Sequence, residues 1–297
     1  MEKKKKIKRL RYCGINPADF DRSQLKFYVY LLPICLVMVL PIFFIVGNAF
    51  KPLDELFVFP PRLLPRSPTL GHFRALLAMA GNFDVPITRY FLNSLAVVAI
   101  ILTLTLVVSV SAGYVLSKKN FTGRQILFSI NMIALMFAPA AVMIPRYFVI
   151  YYLGLIDSFG AHIWPALAMP VGLFLIKQFT DQIPDALIEA AKIDGANDYY
   201  ILLRIIVPMN MPVIATVAIL AFQSSWNALE ASTLYISNQT LRTLPFYVAS
   251  LVDRQQIVIA GLGPNAAGNL LIFFPNLILF VILQSRVMNT MAHSGIK

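Results

Sequence analysis

The stretch "EAAKIDGANDYYILLRIIVP", residues 189–208, carries five charges: Glu189, Lys192, Asp194, Asp198 and Arg204. The chain as a whole is only 13% charged. Its start and stop signals read as two short helices. Pro184 suits a first helical turn, where its missing N–H has no intrahelical role, and Asp185 and Glu189 favour the positive end of the helix dipole. Gly195 suits the exit of that helix, and Asn197 or Asp198 suits the N-cap of a second helix running to Pro208. A first helix of about ten residues is marginal alone and needs packing. Ile183, Leu187, Ala190 or Ala191, and Asp194 fall at helical spacing, so the helix is amphipathic with a small-residue centre. Residues 181–198 hold Asp181, Asp185, Glu189, Asp194 and Asp198 against Lys192 alone. An anionic membrane surface repels such a face, which favours a protein surface as its neighbour.

Outward from this insert the chain is apolar. Of its 297 residues 58% are hydrophobic, with mean hydropathy +0.72. Six runs are near-uncharged and about 18 or more residues long, enough to cross a hydrocarbon core of about 30 Å. They lie at 27–50, 93–116, 126–144, 158–178, 208–230 and 268–288. Each is expected as a helix, because lipid offers no partner for an unpaired peptide group. The fold class is therefore all-α, a polytopic membrane protein of six spans surrounded by lipid. Its parts are a basic N-terminus (1–26), the first span (27–50), an outer loop (51–92), a membrane core (93–288) containing the inner loop 181–207, and a tail (289–297).

Orientation follows from the basic residues. Nine of the 25 Lys and Arg lie in residues 1–26, and the four segments placed inside by that choice hold 17 of the 25. This puts both ends in the cytoplasm. The net charge of +11 reflects this cluster, which has neither a helical stripe nor a recognition motif, so nucleic acid is not an expected partner. The run 27–50 is too long for a signal-peptide core and reads as an uncleaved span of the cell (inner) membrane. Residues 51–92 are proline-rich and suit a small external cap. Residues 145–157 carry three tyrosines and suit a short helix at the outer interface.

Chemistry-bearing motifs are few. Cys13 and Cys35 form no framework, and His72, His162 and His293 are far apart. The phosphate loop G-x-x-x-x-G-K-[ST] is absent. No catalytic site is expected.

Residues 189–196, "EAAKIDGA", together with "IVP" at 206–208, resemble the EAA loop of binding-protein-dependent ATP-binding-cassette importers, most closely the carbohydrate permeases of the maltose type. Val207 departs from the usual Leu. The likeness continues through "YFLNSLAV" (90–97), "GYVLSKKNFTGRQILF" (113–128), "IPRYFVIYYLGLIDS" (144–158), "SSWNALEASTLYI" (224–236) and "QSRVMNTMAHSGIK" (284–297). Ala228-Leu229-Glu230 departs from the commoner Glu-Phe. The resemblance implies a type I importer permease fold whose EAA loop is a coupling helix. Glu189, Ala190, Ala191, Asp194, Gly195 and Ala196 would meet an ATP-binding subunit. Ser294, Gly295, Ile296 and Lys297 would reach between two such subunits. Further partners would be a second permease subunit and an external binding protein that delivers a sugar. This chain would bind no cofactor, with ATP and Mg held by the partner subunits.

In the fifth run Thr216, Gln223, Asn227 and Glu230 fall within about 60° on a helical wheel, beside Trp226. Polar groups inside a span face a cavity or a neighbouring helix. The stripe fits a sugar path or packing against a second subunit, and both readings stay open. Asn131 and Asn276 are weaker candidates for the path. Ser109 and Gly113 have the spacing of a close helix crossing. Two other functions share this composition, a self-sufficient secondary transporter or channel and a permease of the same kind for a non-sugar solute. The first is disfavoured by the lack of an inverted repeat and by how little intramembrane charge there is of the kind that carries ions or protons.

Overall fold

The computed structural model describes residues 25–56, 58–80, 85–253 and 258–294. Its helices, in chain order, are α1 (Leu25–Phe50), α2 (Leu53–Leu56), α3 (Gly71–Ala80), α4 (Ile87–Lys118), α5 (Arg124–Met136), α6 (Met143–Tyr152), α7 (Gly160–Leu167), α8 (Pro170–Asp181), α9 (Asp185–Ile193), α10 (Asp198–Ile201), α11 (Val207–Met209), α12 (Met211–Trp226), α13 (Leu244–Asp253) and α14 (Val258–Ser294). Two π-helical turns, Leu202–Ile206 and Ala231–Tyr235, follow α10 and α12. No strand occurs among the described residues. The basic N-terminus falls almost wholly outside them, as do Gly295, Ile296 and Lys297.

Four stretches are long and apolar enough to cross a membrane: Leu25–Phe50, Ile87–Lys118, Met211–Tyr235 and Gly263–Gln284. The α7–α8 pair makes a fifth if taken as one bent span. The run 126–144 differs from expectation. Its helix α5 has 13 residues, about 20 Å of rise, and it ends because Pro139 disfavours helical backbone just before it. The run 158–178 is also broken, with α7 and α8 bent by 40° at residues 168–169. Met169 is non-helical (φ −111°, ψ 87°) because it precedes Pro170. The 51–92 segment is more structured than the sequence suggests, and 145–157 is helical as read. The 51–92 segment contains α2, α3 and the start of α4, and the tyrosine-rich 145–157 segment is largely α6.

α4 is the central helix and packs on α8, α12, α7 and α13. Its crossing with α8 runs through small residues. Ser109 and Gly113 are buried on α4 and Gly172 is buried on α8. A Cβ at Gly113 would lie 2.7 Å from Ile176 Cγ2, so only glycine lets the two backbones come this near. One end of the bundle closes over Tyr90, Trp226, Leu244, Tyr247 and Leu251. Tyr90 and Tyr247 have ring centroids 5.1 Å apart. By contrast α1 buries only Gly47 and Ala49. The rest of its apolar surface faces outward, as suits a helix bathed in lipid.

Candidate functional site

The insert 185–209 folds as a compact elbow. α9 ends in a tight glycine exit. Ala196 N–H donates to Ala191 O (2.9 Å) and Gly195 N–H to Lys192 O (3.0 Å), with Gly195 at φ +82°. This pairing consumes carbonyls that the helix end would leave open. Asn197 is the N-cap of α10, its side-chain oxygen accepting from Tyr200 N–H at 2.8 Å. Ile183, Ile188, Ile201 and Ile206 are buried against Tyr114, with Ala191 and Ala196 packed at the edge. The inward face of α9 is therefore Ile183–Ile188–Ala191. Leu187, expected inside, is 45% exposed, because the helix begins at Asp185 and turns Ile188 under.

Lysines of the preceding inner loop fasten this elbow to the bundle. Lys118 Nζ donates to Asp185 Oδ1 (2.7 Å) and to Ile183 O (2.6 Å). Lys119 Nζ lies 2.5 Å from Asp198 Oδ1. Asp181 accepts from Ser117 Oγ and from Lys177 Nζ, both at 2.6 Å. Arg124 caps α4 by donating to Leu116 O and Ser117 O. The hydrogen bond from Lys118 holds the Asp185 carboxyl below its ordinary pKa, and that from Lys119 does the same for Asp198. The same pair pushes Lys119 up, chiefly through its bond to Asp198. The acid excess of residues 181–198 is thus largely neutralised from the neighbouring loop, which removes much of the repulsion from an anionic membrane read from the sequence. Glu189 and Asp194 make no ion pair among the described residues.

The outward face carries Glu189, Ala190, Lys192, Asp194 and Gly195. Beside them stand apolar side chains with little cover, Ile193 at 86% exposure and Tyr199 at 78%. The elbow is held firmly on one side and presents small residues, an unpaired carboxylate and two large apolar groups on the other.

A second feature lies toward the other end of the bundle. A cleft of 380 Å³ opens among α4, the α7–α8 break and the end of α12, and its lining includes Arg146, His162, Ser224, Glu230, Tyr235 and Thr243. Arg146 Nη1 donates to both Glu230 oxygens, at 3.1 and 3.0 Å. Tyr235 Oη donates to Glu230 Oε1 at 2.5 Å.

Residues 105–288, more than half of the chain, match the family model described as binding-protein-dependent transport system inner membrane component. The chain belongs to this family. Among relatives it is similar to the probable ABC transporter permease protein YurM of Bacillus subtilis (strain 168), 29% identical over 91% of this chain and 87% of that one. It is also similar to the arabinooligosaccharides transport system permease protein AraQ of Halalkalibacterium halodurans, 28% identical over 89% of this chain and 93% of that one. Its fold matches a chain of a bacterial ABC transporter involved in the import of the acidic polysaccharide alginate. That match has a TM-score of 0.72 at 22% identity, covering 90% of this chain and 98% of the other. The chain is thus a multi-pass inner membrane component with the ABC permease fold, from a family of transport components rather than of enzymes.

Within this permease fold the polar stripe read from the fifth span divides. The wheel assumed one regular helix to Glu230, but α12 ends at Trp226 and residues 227–229 are not helical. Gln223 and Asn227 are exposed. Thr216 Oγ1 turns back to Pro212 O. Trp226 is 1% exposed, stacked on Phe222 with centroids 5.7 Å apart, its indole N–H donating to Ile272 O at 3.0 Å. In this conformation it offers no face to a sugar. Asn131 Nδ2 donates to Pro170 O at 3.1 Å and ties α5 to the start of α8. Asn276 Nδ2 reaches Asn227 Oδ1 at 3.3 Å. Sequence reasoning missed Arg146, which stood in a segment read only as a short interfacial helix. The arginine inside "IPRYF" was the available signal.

Proposed function

We propose that this permease works with a second permease subunit and two ATP-binding subunits, and that an external binding protein delivers an oligosaccharide to the pair. AraQ, a relative over most of the chain, belongs by its name to an arabinooligosaccharides transport system, which supports a sugar as the cargo. The chain crosses the membrane six times with both ends in the cytoplasm. α5 with residues 137–144 makes one crossing and the bent α7–α8 pair another. The even number places the basic N-terminus and the elbow on one side, in keeping with the 17 of 25 basic residues found there. The domain boundaries follow from those crossings.

The elbow is the coupling element, and one observation carries this reading. α9 is pinned to α4 by Lys118, and α10 by Lys119 just past the end of α4, yet Glu189, Ala190, Ile193 and Gly195 face outward. A large exposed isoleucine beside small residues and an unpaired carboxylate suits a groove on a protein partner. Glu189 and Asp194 supply the charges at its rim, and Ala190 and Gly195 permit close approach, while Ala191 and Ala196 pack against the elbow's own core. ATP and Mg are bound by the partner subunits, whose closure would push the elbow and, through the lysine ties, α4. The tail residues Ser294, Gly295, Ile296 and Lys297 would, by the resemblance, contact those subunits.

Co-purification of the wild-type chain and of Glu189→Lys, with mass spectrometry of the associated proteins, tests the reading. An ATP-binding subunit should accompany the wild type and be lost from the variant. A chain that purifies without one in either case, and transports on an ion gradient, is a self-sufficient transporter and ends the proposal.

A further inference from the structure

The cleft beside α12 holds formal charge inside a span. Glu230 lies within the membrane-crossing stretch Met211–Tyr235, where an ionisable side chain is costly and marks a site unless packing alone explains it. Packing alone leaves much of this pair unused. Arg146 and Glu230 are 33% and 34% exposed and both line the cleft. Arg146 spends only Nη1 on the carboxylate. Its Nε and Nη2 have no protein partner among the described residues. Glu230 Oε1 takes the Tyr235 hydroxyl as well, whereas Oε2 takes only the guanidinium.

The pair therefore combines spare donors with a spare acceptor a few ångströms apart. A guanidinium only donates and a carboxylate only accepts. Neighbouring sugar hydroxyls do both, so one can accept from Arg146 while the next donates to Glu230. The volume of 380 Å³ falls at the small end of the range of roughly 300–1,000 Å³ for small-molecule sites. The two charges also cancel. Among the described residues they are the only formally charged side chains in the lining, so these offer no unpaired cation to a carboxylate-bearing sugar, and Glu230 would repel one at short range.

We infer that this cleft is a subsite for an uncharged sugar unit, with Arg146 donating to and Glu230 accepting from adjacent hydroxyls, and that their mutual neutralisation disfavours acidic sugars. The inference rests on the proposed transport of oligosaccharides and names the class. It sets this chain apart from the structurally similar transporter involved in import of an acidic polysaccharide.

The test uses the whole importer in lipid, with its ATP-binding subunits and binding protein. Cys13 and Cys35 are replaced by serine, and Ser224→Cys serves as reporter in the cleft. Its labelling is timed with an anionic and a cationic methanethiosulfonate reagent, 2-sulfonatoethyl and 2-(trimethylammonium)ethyl. A neutral cleft gives both reagents the rate ratio they show with a free thiol. Glu230→Gln should shift that ratio toward the anionic reagent about tenfold, and the double variant Arg146→Gln with Glu230→Gln should restore it. Galactotriose or arabinotriose should slow labelling several-fold and trigalacturonate should not. Equal protection by neutral and acidic trisaccharides, or by neither, while loaded binding protein still stimulates ATP hydrolysis, overturns the subsite and leaves the transport reading standing. Wild-type complex whose ATP hydrolysis ignores every sugar-loaded binding protein overturns the transport reading, and the subsite falls with it.

Discussion

Lys118 Nζ holds Asp185 Oδ1 at 2.7 Å and Ile183 O at 2.6 Å with a single ammonium group. The lysine side chain is 6% exposed and the aspartate 75%, so the two ends of this ion pair are unequal. Removing the carboxylate leaves Lys118 its carbonyl partner and solvent nearby. Removing the lysine orphans a carbonyl at the entry to α9, which costs about 1–3 kcal/mol. Lys118→Met should therefore loosen the elbow far more than Asp185→Asn. Hydrogen exchange of amides 185–206 in the purified chain measures this. Equal protection in the two variants would show that the carbonyl contact contributes nothing.

Acid should release the elbow while mild alkali should not. Asp198 has its folded pKa held below the ordinary 3.8 by the hydrogen bond from Lys119. Its contribution is complete above 3.8 and lost as pH falls through the lower, folded value. Lys119 is raised above 10.5 by the same bond, so its contribution is complete below 10.5 and lost as pH rises through the folded value. Between these limits docking of α10 on α4 should not vary with pH. Limited proteolysis within 194–204 should be flat across neutral pH and rise only below about 3.8, with Asp198→Asn removing that acid step.

Gly113 should tolerate no side chain unless Ile176 is trimmed. The Cβ of an alanine would stand 2.7 Å from Ile176 Cγ2 and 3.3 Å from Lys177 N. Overpacking of this kind costs about 1–3 kcal/mol. Gly113→Ala should lower the thermal midpoint in detergent, and adding Ile176→Ala, which removes Cγ2, should ease the clash but recover the midpoint only in part. The branched methyl that clashes belongs to Ile176, but its Cβ is also within 3.3 Å. Full tolerance of Gly113→Leu would mean that α4 and α8 do not cross as described.

The legible parts of this protein were those written locally. The elbow could be read because Gly195 and Asn197 act on their own backbone, and both do so in the structure, whereas Pro184 stands one place before the first turn as the extended N-cap of α9. The long apolar runs were legible because hydropathy needs no partner. What failed was longer in range. The wheel that aligned Glu230 with Gln223 presupposed a helix that in fact stops at Trp226. The acid count of the elbow ignored Lys118, Lys119 and Lys177, which return from other segments to pair with it. Arg146 could not be joined to Glu230 from sequence because 84 residues and six helices, α7 to α12, separate them.

Trp226 should behave as a core residue. It is 1% exposed and packs on Phe222 and Phe91, the second contact edge-to-face at 6.3 Å. Trp226→Ala should cost about 3–5 kcal/mol and lower the yield of folded protein. Trp226→Phe should lose mainly the indole hydrogen bond to Ile272 O. Uptake per folded molecule should then keep its rank order among sugars. A changed order in Trp226→Phe, with the thermal midpoint intact, would return this ring to the solute path.

Gly195 separates two demands that usually travel together. Its φ of +82° is left-handed, so a β-carbon there costs about 1–2 kcal/mol from backbone sterics. Asparagine is the side chain that bears this conformation best. Yet a Cβ at this position meets nothing within 4 Å, so within this chain there is room for a larger side chain. Gly195→Asn should therefore unfold close to the wild-type temperature, and Gly195→Val well below it. Docking is a different matter, because the open space over Gly195 is where a partner's groove would close. If the elbow is the coupling element, Gly195→Asn keeps its fold but loses the ATP-binding subunit on co-purification. A Gly195→Asn chain that retains both its stability and its partner would mean the glycine is needed only for the turn, and that the close contact lies elsewhere on α9.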